Sequence, residues 1–312
     1  MTERILILGA AGRLGKAAAE GFRDAGWEVV SLVRPGAAAR AAQGTLVAEV
    51  NLRDHAAVKA AAQGAQVVFN ALNPTLLEWQ GQVPLFTNIA IIAAQSAGAT
   101  LMFPGNVYNF GEGMPETLDE TTPMRPTTRK GILRADAEEQ MRDATLEGLP
   151  RVIILRAGDF FGSGSGAWFD RVITRNLAQR RVIYPGPLDV AHPWAYVPDL
   201  VVTLVRLAAI RDALGAFTTL GFPGYTLTGQ QLTRELGKVV QRGLRMDAMP
   251  WLMLRLLAPI MPTFRDLRDM SYLWKVPHRI DGTALHETIG DIPQTPIDLA
   301  IAKSLVELGY IL

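Results

Sequence analysis

Residues 4–15 read Arg4-Ile5-Leu6-Ile7-Leu8-Gly9-Ala10-Ala11-Gly12-Arg13-Leu14-Gly15. The aliphatic run from Arg4 to Gly9 is too short for a helix and ends in glycine, so it reads as a strand. The alanine-rich stretch 11–25 reads as a helix. Glycines spaced GxxGxxG between a strand and a helix let the turn tighten and let backbone approach a pyrophosphate. The helix N-terminus adds N–H groups and a positive dipole end. Gly9, Gly12 and Gly15, with Arg13 and Leu14 between them, are therefore expected to line a dinucleotide site.

The alternation continues outward from that loop. Residues 28–33, 45–50, 66–71 and 100–103 are short β-branched or aliphatic runs, and 54–62 and 84–97 are helical stretches between them. A long helix is expected at 127–146 and a strand at 151–156. This pattern predicts an α/β fold, a Rossmann-type doubly wound parallel sheet. Beyond residue 157 come a glycine-rich loop at 158–166, a helix at 168–179, a strand at 181–184, a helix at 198–210, a strand at 217–220 and a helix at 228–240. The last part is mainly helical, with prolines. The expected division is a Rossmann domain over 1–160, with 190–220 returning to it, and a smaller, mostly helical substrate lobe from 161–189 and 221–312.

Composition narrows the function classes. The chain has 312 residues, 49% hydrophobic and 20% charged, with mean hydropathy +0.15, enough apolar material for a sizeable core. Lys and Arg number 31 against 30 Asp and Glu, so no charge excess drives binding to nucleic acid or an anionic membrane. Cysteine is absent, which excludes disulfides and thiolate chemistry and fits a cytoplasmic setting. His55, His192, His278 and His286 show no metal-ligand spacing, so no metal is expected. The apolar run 251–264 is broken by Arg255, Pro259 and Pro262, so it reads as a buried or partner-facing helix. The expected partner is a small-molecule substrate.

The end of the second strand bears on the nucleotide. It reads Ser31-Leu32-Val33-Arg34-Pro35 and carries no acid to accept from ribose hydroxyls. A carboxylate there would repel a 2′-phosphate, whereas Arg34 offers a guanidinium fork and Arg13 can assist. NADP(H) is expected over NAD.

Several segments resemble the short-chain dehydrogenase/reductase superfamily in its extended and atypical branches. Asn51-Leu52 matches the place where many members have Asp-Leu against the adenine, and Ala71 ends the fourth strand beside the cofactor. Residues 103–111, Phe-Pro-Gly-Asn-Val-Tyr-Asn-Phe-Gly, look like the SSxxVYG segment. Residues 192–200, His-Pro-Trp-Ala-Tyr-Val-Pro-Asp-Leu, are similar to HVxDLA, and 293–298 resemble the extended branch's C-terminal TPL signature. The resemblance implies an NAD(P)-binding protein and raises a homodimer as its assembly.

The departures are specific. Phe103 and Pro104 fall at the family's serine position. Lys130 and Arg134 fall at the tyrosine and lysine of YxxxK. The isoflavone-reductase-like subgroup carries a helix lysine in a pattern like KxxIR, and a second strand ending in Arg-Pro. Lys130, Arg134 and Arg34-Pro35 resemble both. Nitrogen-metabolite-regulator-like proteins share that branch.

Lys130 and Arg134 are four residues apart and share a helix face. Lys130 is a candidate general acid to the oxyanion that hydride addition creates, with Arg134 on the cofactor side. Asn106 could hydrogen-bond a substrate carbonyl, and Tyr108 could supply a proton. Trp79, Phe161, Trp168, His192, Trp194 and Tyr196 are candidates for an aromatic pocket. Three functions follow. The leading one is an NADPH-dependent reductase of a small carbonyl, enol or ether compound. The others are a silent NADP(H)-binding sensor and an NAD(P)-dependent sugar-nucleotide epimerase or dehydratase.

Overall fold

The computed structural model describes residues 2–74, 78–257 and 261–311. The chain begins β1 (Arg4–Leu8), α1 (Arg13–Asp24), β2 (Glu28–Val33), β3 (Leu46–Glu49), α2 (His55–Ala62), β4 (Val67–Asn70), α3 (Trp79–Ala97) and β5 (Thr100–Gly105). It continues through β6 (Thr117–Leu118), α4 (Arg129–Leu146), β7 (Arg151–Arg156), β8 (Asp159–Phe161), β9 (Arg181–Tyr184), β10 (Ala191–Tyr196) and α5 (Val197–Ala209). It ends with β11 (Phe217–Gly221), β12 (Tyr225–Thr228), α6 (Gly229–Val239), β13 (Arg245–Ala248), α7 (Trp251–Leu257), α8 (Pro262–Asp269), β14 (Arg279–Ile280), α9 (Thr283–Ile289) and α10 (Ile297–Glu307).

Seven strands form one sheet in the order β11-β7-β5-β4-β1-β2-β3. The pairings from β3 through to β7 are all parallel. The strand order reverses beside β1, so the crevice outside the carboxyl ends of β1 and β4 is the place where such sheets take ligands. The run Ile5–Leu8 is wholly buried, as a central parallel strand covered on both faces requires. Against it pack Val30, Leu32, Val68, Leu101 and Val152, with Ala90, Ala93 and Ala94 of α3 above them. Caps fix the helix starts. Asp54 accepts from Ala57 N at 3.0 Å to start α2, and Thr228 with Gln231 closes a capping box on α6.

The chain packs as two compact units. The first joins residues 1–106, 132–156 and 201–220, and contains the seven-stranded sheet. The second joins 107–131, 157–200 and 221–312, and carries three small sheets beside its helices. Residues 201–220 thus belong with the sheet, while 107–131 and 190–200 belong with the second unit.

The stretch 168–179 differs from the expected helix. It forms only two single turns, at Phe169–Ile173 and Leu177–Gln179. The Asp170 carboxylate accepts from Gly166 N at 2.7 Å and Ala167 N at 2.9 Å, so local side-chain bonds hold the entry to the first turn. The apolar run 251–264 is two short helices rather than one. Leu254 of α7 is buried while Leu252 is 73% and Leu256 70% exposed. Among the described residues, no helix is long and apolar enough to cross a membrane.

Candidate functional site

The three loop glycines are held for different reasons. Gly9 sits at φ +80°, and a Cβ there would meet the Ala71 backbone at 3.2 Å. A Cβ on Gly15 would lie 2.3 Å from Gly9 O, so that glycine lets α1 close onto the loop. Gly12 is extended at φ −84°, ψ 166°, but a Cβ there would meet Gly9 O at 3.3 Å, a tight contact with the same carbonyl that accepts from Gly12 N at 2.9 Å. The turn itself therefore favours a small residue there, and a pyrophosphate approaching the loop would favour it further. No side chain caps α1, and its first turn carries no acid, so the dipole end beside Gly12 is open to an anion.

At the carboxyl end of β2, Arg34 is exposed. Arg40, not singled out from the sequence, comes to the same loop and donates from Nη2 to Ala11 O at 3.2 Å. Arg13 is half-buried on the first turn of α1, and Leu14 is buried beneath it. An acid also arrives, from β3 rather than β2: Glu49 accepts from Gly36 N at 2.5 Å. Sequence reading missed both because neither belongs to the motif that names the site. Asn51 is exposed and spends its Oδ1 on Arg53 N at 3.0 Å, with Leu52 half-buried beside it. Ala71 donates to Leu8 O at 3.0 Å and floors the turn at Gly9.

Arg134 of α4 is 8% exposed and committed. It donates from Nη2 to Asn73 Oδ1 at 3.0 Å, and its guanidinium lies 5.0 Å from the Trp79 ring and 5.4 Å from Phe103. Phe103 is buried in β5, so the family's serine place holds an aromatic wall. One turn further along α4, Glu138 takes Arg156 Nη2 at 2.6 Å in a buried ion pair. Arg156 ends β7, and a Cβ on Gly105 would meet its Cγ at 2.8 Å. Asn106 follows β5 and is half-buried.

In the second unit, Lys130 is half-buried on the first turn of α4. A Cβ on the next residue, Gly131, would lie 2.5 Å from Tyr108 O. The Tyr108 ring packs against the cluster of Val107, Phe110, Met270, Tyr272 and Ile280, so packing employs much of it. A cavity of about 410 Å³ opens beside Thr127, Thr128 and Arg129, with Ser271, Tyr272 and Lys275 across from them. Of the aromatic candidates, Trp79 stays with Arg134, whereas Phe161, Trp168, Trp194 and Tyr196 join Trp274 in one core cluster with His192 against it. Asp199 ties two quoted motifs together, accepting from Thr295 N at 2.8 Å and Thr295 Oγ1 at 2.7 Å. Among the described residues no group of His, Asp and Glu could hold a metal.

The family model for NAD-dependent epimerases and dehydratases matches residues 5–217. The chain belongs to that family. It is therefore an extended short-chain dehydrogenase/reductase. Solved structures agree on the fold. A nucleoside-diphosphate-sugar epimerase from Pseudomonas aeruginosa is 20% identical, with TM-score 0.75 over 99% of this chain and 98% of that one. The UDP-glucose 4-epimerase of Thermotoga maritima is 16% identical, with TM-score 0.77 over 98% of each chain. MoeE5, in complex with UDP-glucuronic acid and NAD, is 16% identical, with TM-score 0.77 over 98% of this chain and 99% of that one. No functionally curated protein matches the sequence. Against this extended family, the likeness to the isoflavone-reductase-like subgroup rests on Lys130, Arg134 and Arg34-Pro35 alone.

Proposed function

We propose that this family member is an NADP(H)-dependent reductase of a small carbonyl, enol or ether compound. The observation that carries the reading is on α4, where a lysine and an arginine stand at the spacing of the family's tyrosine and lysine. Gly12 and the start of α1 would hold the cofactor's pyrophosphate, and Arg34, Arg40 and Arg13 would take a 2′-phosphate. Bound there, the cofactor supplies a hydride. Arg134, fixed by Asn73, keeps a permanent positive charge on its side of α4 and gives up no proton at ordinary pH. Lys130 donates its proton to the oxygen that becomes anionic, and regains one from water. Asn106 orients the accepting group.

A second reading has its own support. The family match and the UDP-sugar complexes of structural neighbours favour an NAD-dependent sugar-nucleotide epimerase or dehydratase. Glu49 supplies an acid near the ribose end that NAD binding uses. One assay divides the two. The protein is incubated with NADPH and a carbonyl panel, and separately with NAD and UDP-glucose. NADPH consumption in the first arm alone supports the reductase. Conversion of UDP-glucose supports the epimerase. Firm NADPH binding with neither reaction replaces both with a cofactor-binding sensor.

A further inference from the structure

The near-zero net charge of the whole chain hides an uneven distribution in the second unit. Residues 168–184 and 240–269 carry nine arginines against four aspartates, whereas the rest of the chain carries 22 Lys and Arg against 26 Asp and Glu. The fold brings the two basic segments together. β13 pairs in parallel with β9, with Arg245 opposite Arg181. Trp251, at the start of α7, donates from Nε1 to Pro185 O at 2.5 Å and so ties α7 to the end of β9. α8 packs on α7. The acids present do not cancel the excess. Asp247 is shared between Arg181 at 2.6 Å and Arg245 at 3.2 Å, which leaves one positive charge over. Arg175, Arg180, Arg242 and Arg265 are exposed, and none of them has an acid within ion-pair distance among the described residues.

The same region exposes an apolar helix face. α7 reads Trp-Leu-Met-Leu-Arg-Leu-Leu. Leu254 turns inward and is buried, while Leu252, Met253 and Leu256 stand 73%, 52% and 70% exposed. Residues 252, 253 and 256 share one side of a helix. Met261, just before α8, is 45% exposed. A single exposed leucine needs no explanation. Four large apolar side chains exposed within ten residues, with Arg242 and Arg265 on either side of them in the sequence, do need one. A leucine- and methionine-rich helix face rimmed by arginines has the composition of a helix that lies in a lipid interface.

We propose that α7 and the arginines around it dock the protein peripherally on an anionic lipid surface. Leu252, Met253, Leu256 and Met261 enter the boundary between headgroups and acyl chains, and Arg175, Arg180, Arg242 and Arg265 meet the headgroup phosphates. At 1.5 Å per residue, α7 is about 10 Å long, so it lies in the surface and does not span it. A second copy of the chain fits this face less well. A two-fold contact here would set the arginines of one protomer against the same arginines of its partner. Nucleic acid answers the arginines but offers no apolar phase to the leucines. The surface belongs wholly to the second unit and contains none of the residues assigned to the cofactor or to proton transfer, so the inference stands whichever reaction the protein carries out.

Co-sedimentation of the whole protein with lipid vesicles tests it without any turnover and with no partner protein present. Vesicles of phosphatidylcholine with about 30% phosphatidylglycerol should bind the protein at least about tenfold more tightly than vesicles of phosphatidylcholine alone. Raising the salt from about 0.05 M to about 0.5 M should weaken that binding. The double variants Leu252→Ser/Leu256→Ser and Arg242→Gln/Arg265→Gln replace exposed side chains. Both should keep the fold by circular dichroism and bind the anionic vesicles at least about tenfold more weakly. The proposal is overturned if anionic vesicles bind no protein, if neutral vesicles bind it equally, or if either double variant binds like wild type. It is also overturned if the wild type is a dimer by analytical ultracentrifugation and Leu252→Ser/Leu256→Ser is a monomer, because a second copy then covers the face.

Discussion

Glu138 on α4 and Arg156 at the end of β7 form an ion pair that is almost wholly withdrawn from water, with side chains 2% and 8% exposed. The contact is made twice, from Arg156 Nη2 at 2.6 Å and from Nε at 3.4 Å. It joins the helix that carries Arg134 to the strand beneath Gly105. Two charges out of water are tolerated only while each has the other. Glu138→Ala should therefore destabilise the protein by about 3–5 kcal/mol in urea unfolding. The double variant Glu138→Leu/Arg156→Met should recover most of that loss. A single variant within about 0.5 kcal/mol of wild type would show that the pair is not buried in solution.

In the proposed reading, cofactor choice depends on the charges of Arg34, Arg40 and Glu49. Arg34→Ala should weaken NADP binding by about 1.5–3 kcal/mol and leave NAD binding nearly unchanged. Arg40→Ala should act in the same direction, because that side chain reaches the Ala11 carbonyl. Calorimetry with both nucleotides measures it. Tighter binding of NAD than NADP by the wild type would transfer the selecting role to Glu49.

How much of this was legible in the sequence depends on how local the signal is. The glycine turn is a strand, a bend and a helix in succession, so Gly9–Gly15 declares itself. Thr228 and Gln231 announce the α6 cap in the same way, three residues apart. Arg40 reaches the Ala11 carbonyl through the short turn at Ala38–Arg40, and Glu49 reaches Gly36 N from the end of β3, and no spacing rule contains either contact. The Asp159–His192 pair depends on the register of β8 against β10 across 33 residues. The expected helix at 168–179 breaks at Thr174, whose N–H and hydroxyl both donate to Phe169 O, a local side-chain bond that propensity does not see.

Acid should expose the buried histidine. His278 has its pKa lowered from 6.5 to about 3 by burial, so the folded protein stays neutral there while the unfolded chain takes up a proton. The group's contribution is whole above pH 6.5 and is lost as pH falls from there toward 3. The loss is about 1.4 kcal/mol per pH unit within that window. Urea unfolding between neutral pH and the acid limb should show this slope, and His278→Gln should remove it. An identical slope in the variant would contradict the assignment.

The α4 chemistry separates by residue. Lys130→Ala should lower reductase turnover about 10²–10⁴-fold while NADPH affinity changes little. Arg134→Ala should weaken cofactor binding first, since it releases Asn73 and Trp79. Tyr108→Phe should stay near wild type, as its ring is occupied in packing. A large loss in Tyr108→Phe beside an active Lys130→Ala would move the proton donor to Tyr108.

The central claim is that the space at Gly12 is kept for a dinucleotide's pyrophosphate. Gly12→Ala is the direct test, because the residue is extended and the new Cβ asks only Gly9 O, 3.3 Å away, to give. Isothermal calorimetry with NADPH should show affinity reduced at least about tenfold in a variant that remains folded by circular dichroism. Wild-type affinity in Gly12→Ala would contradict the account.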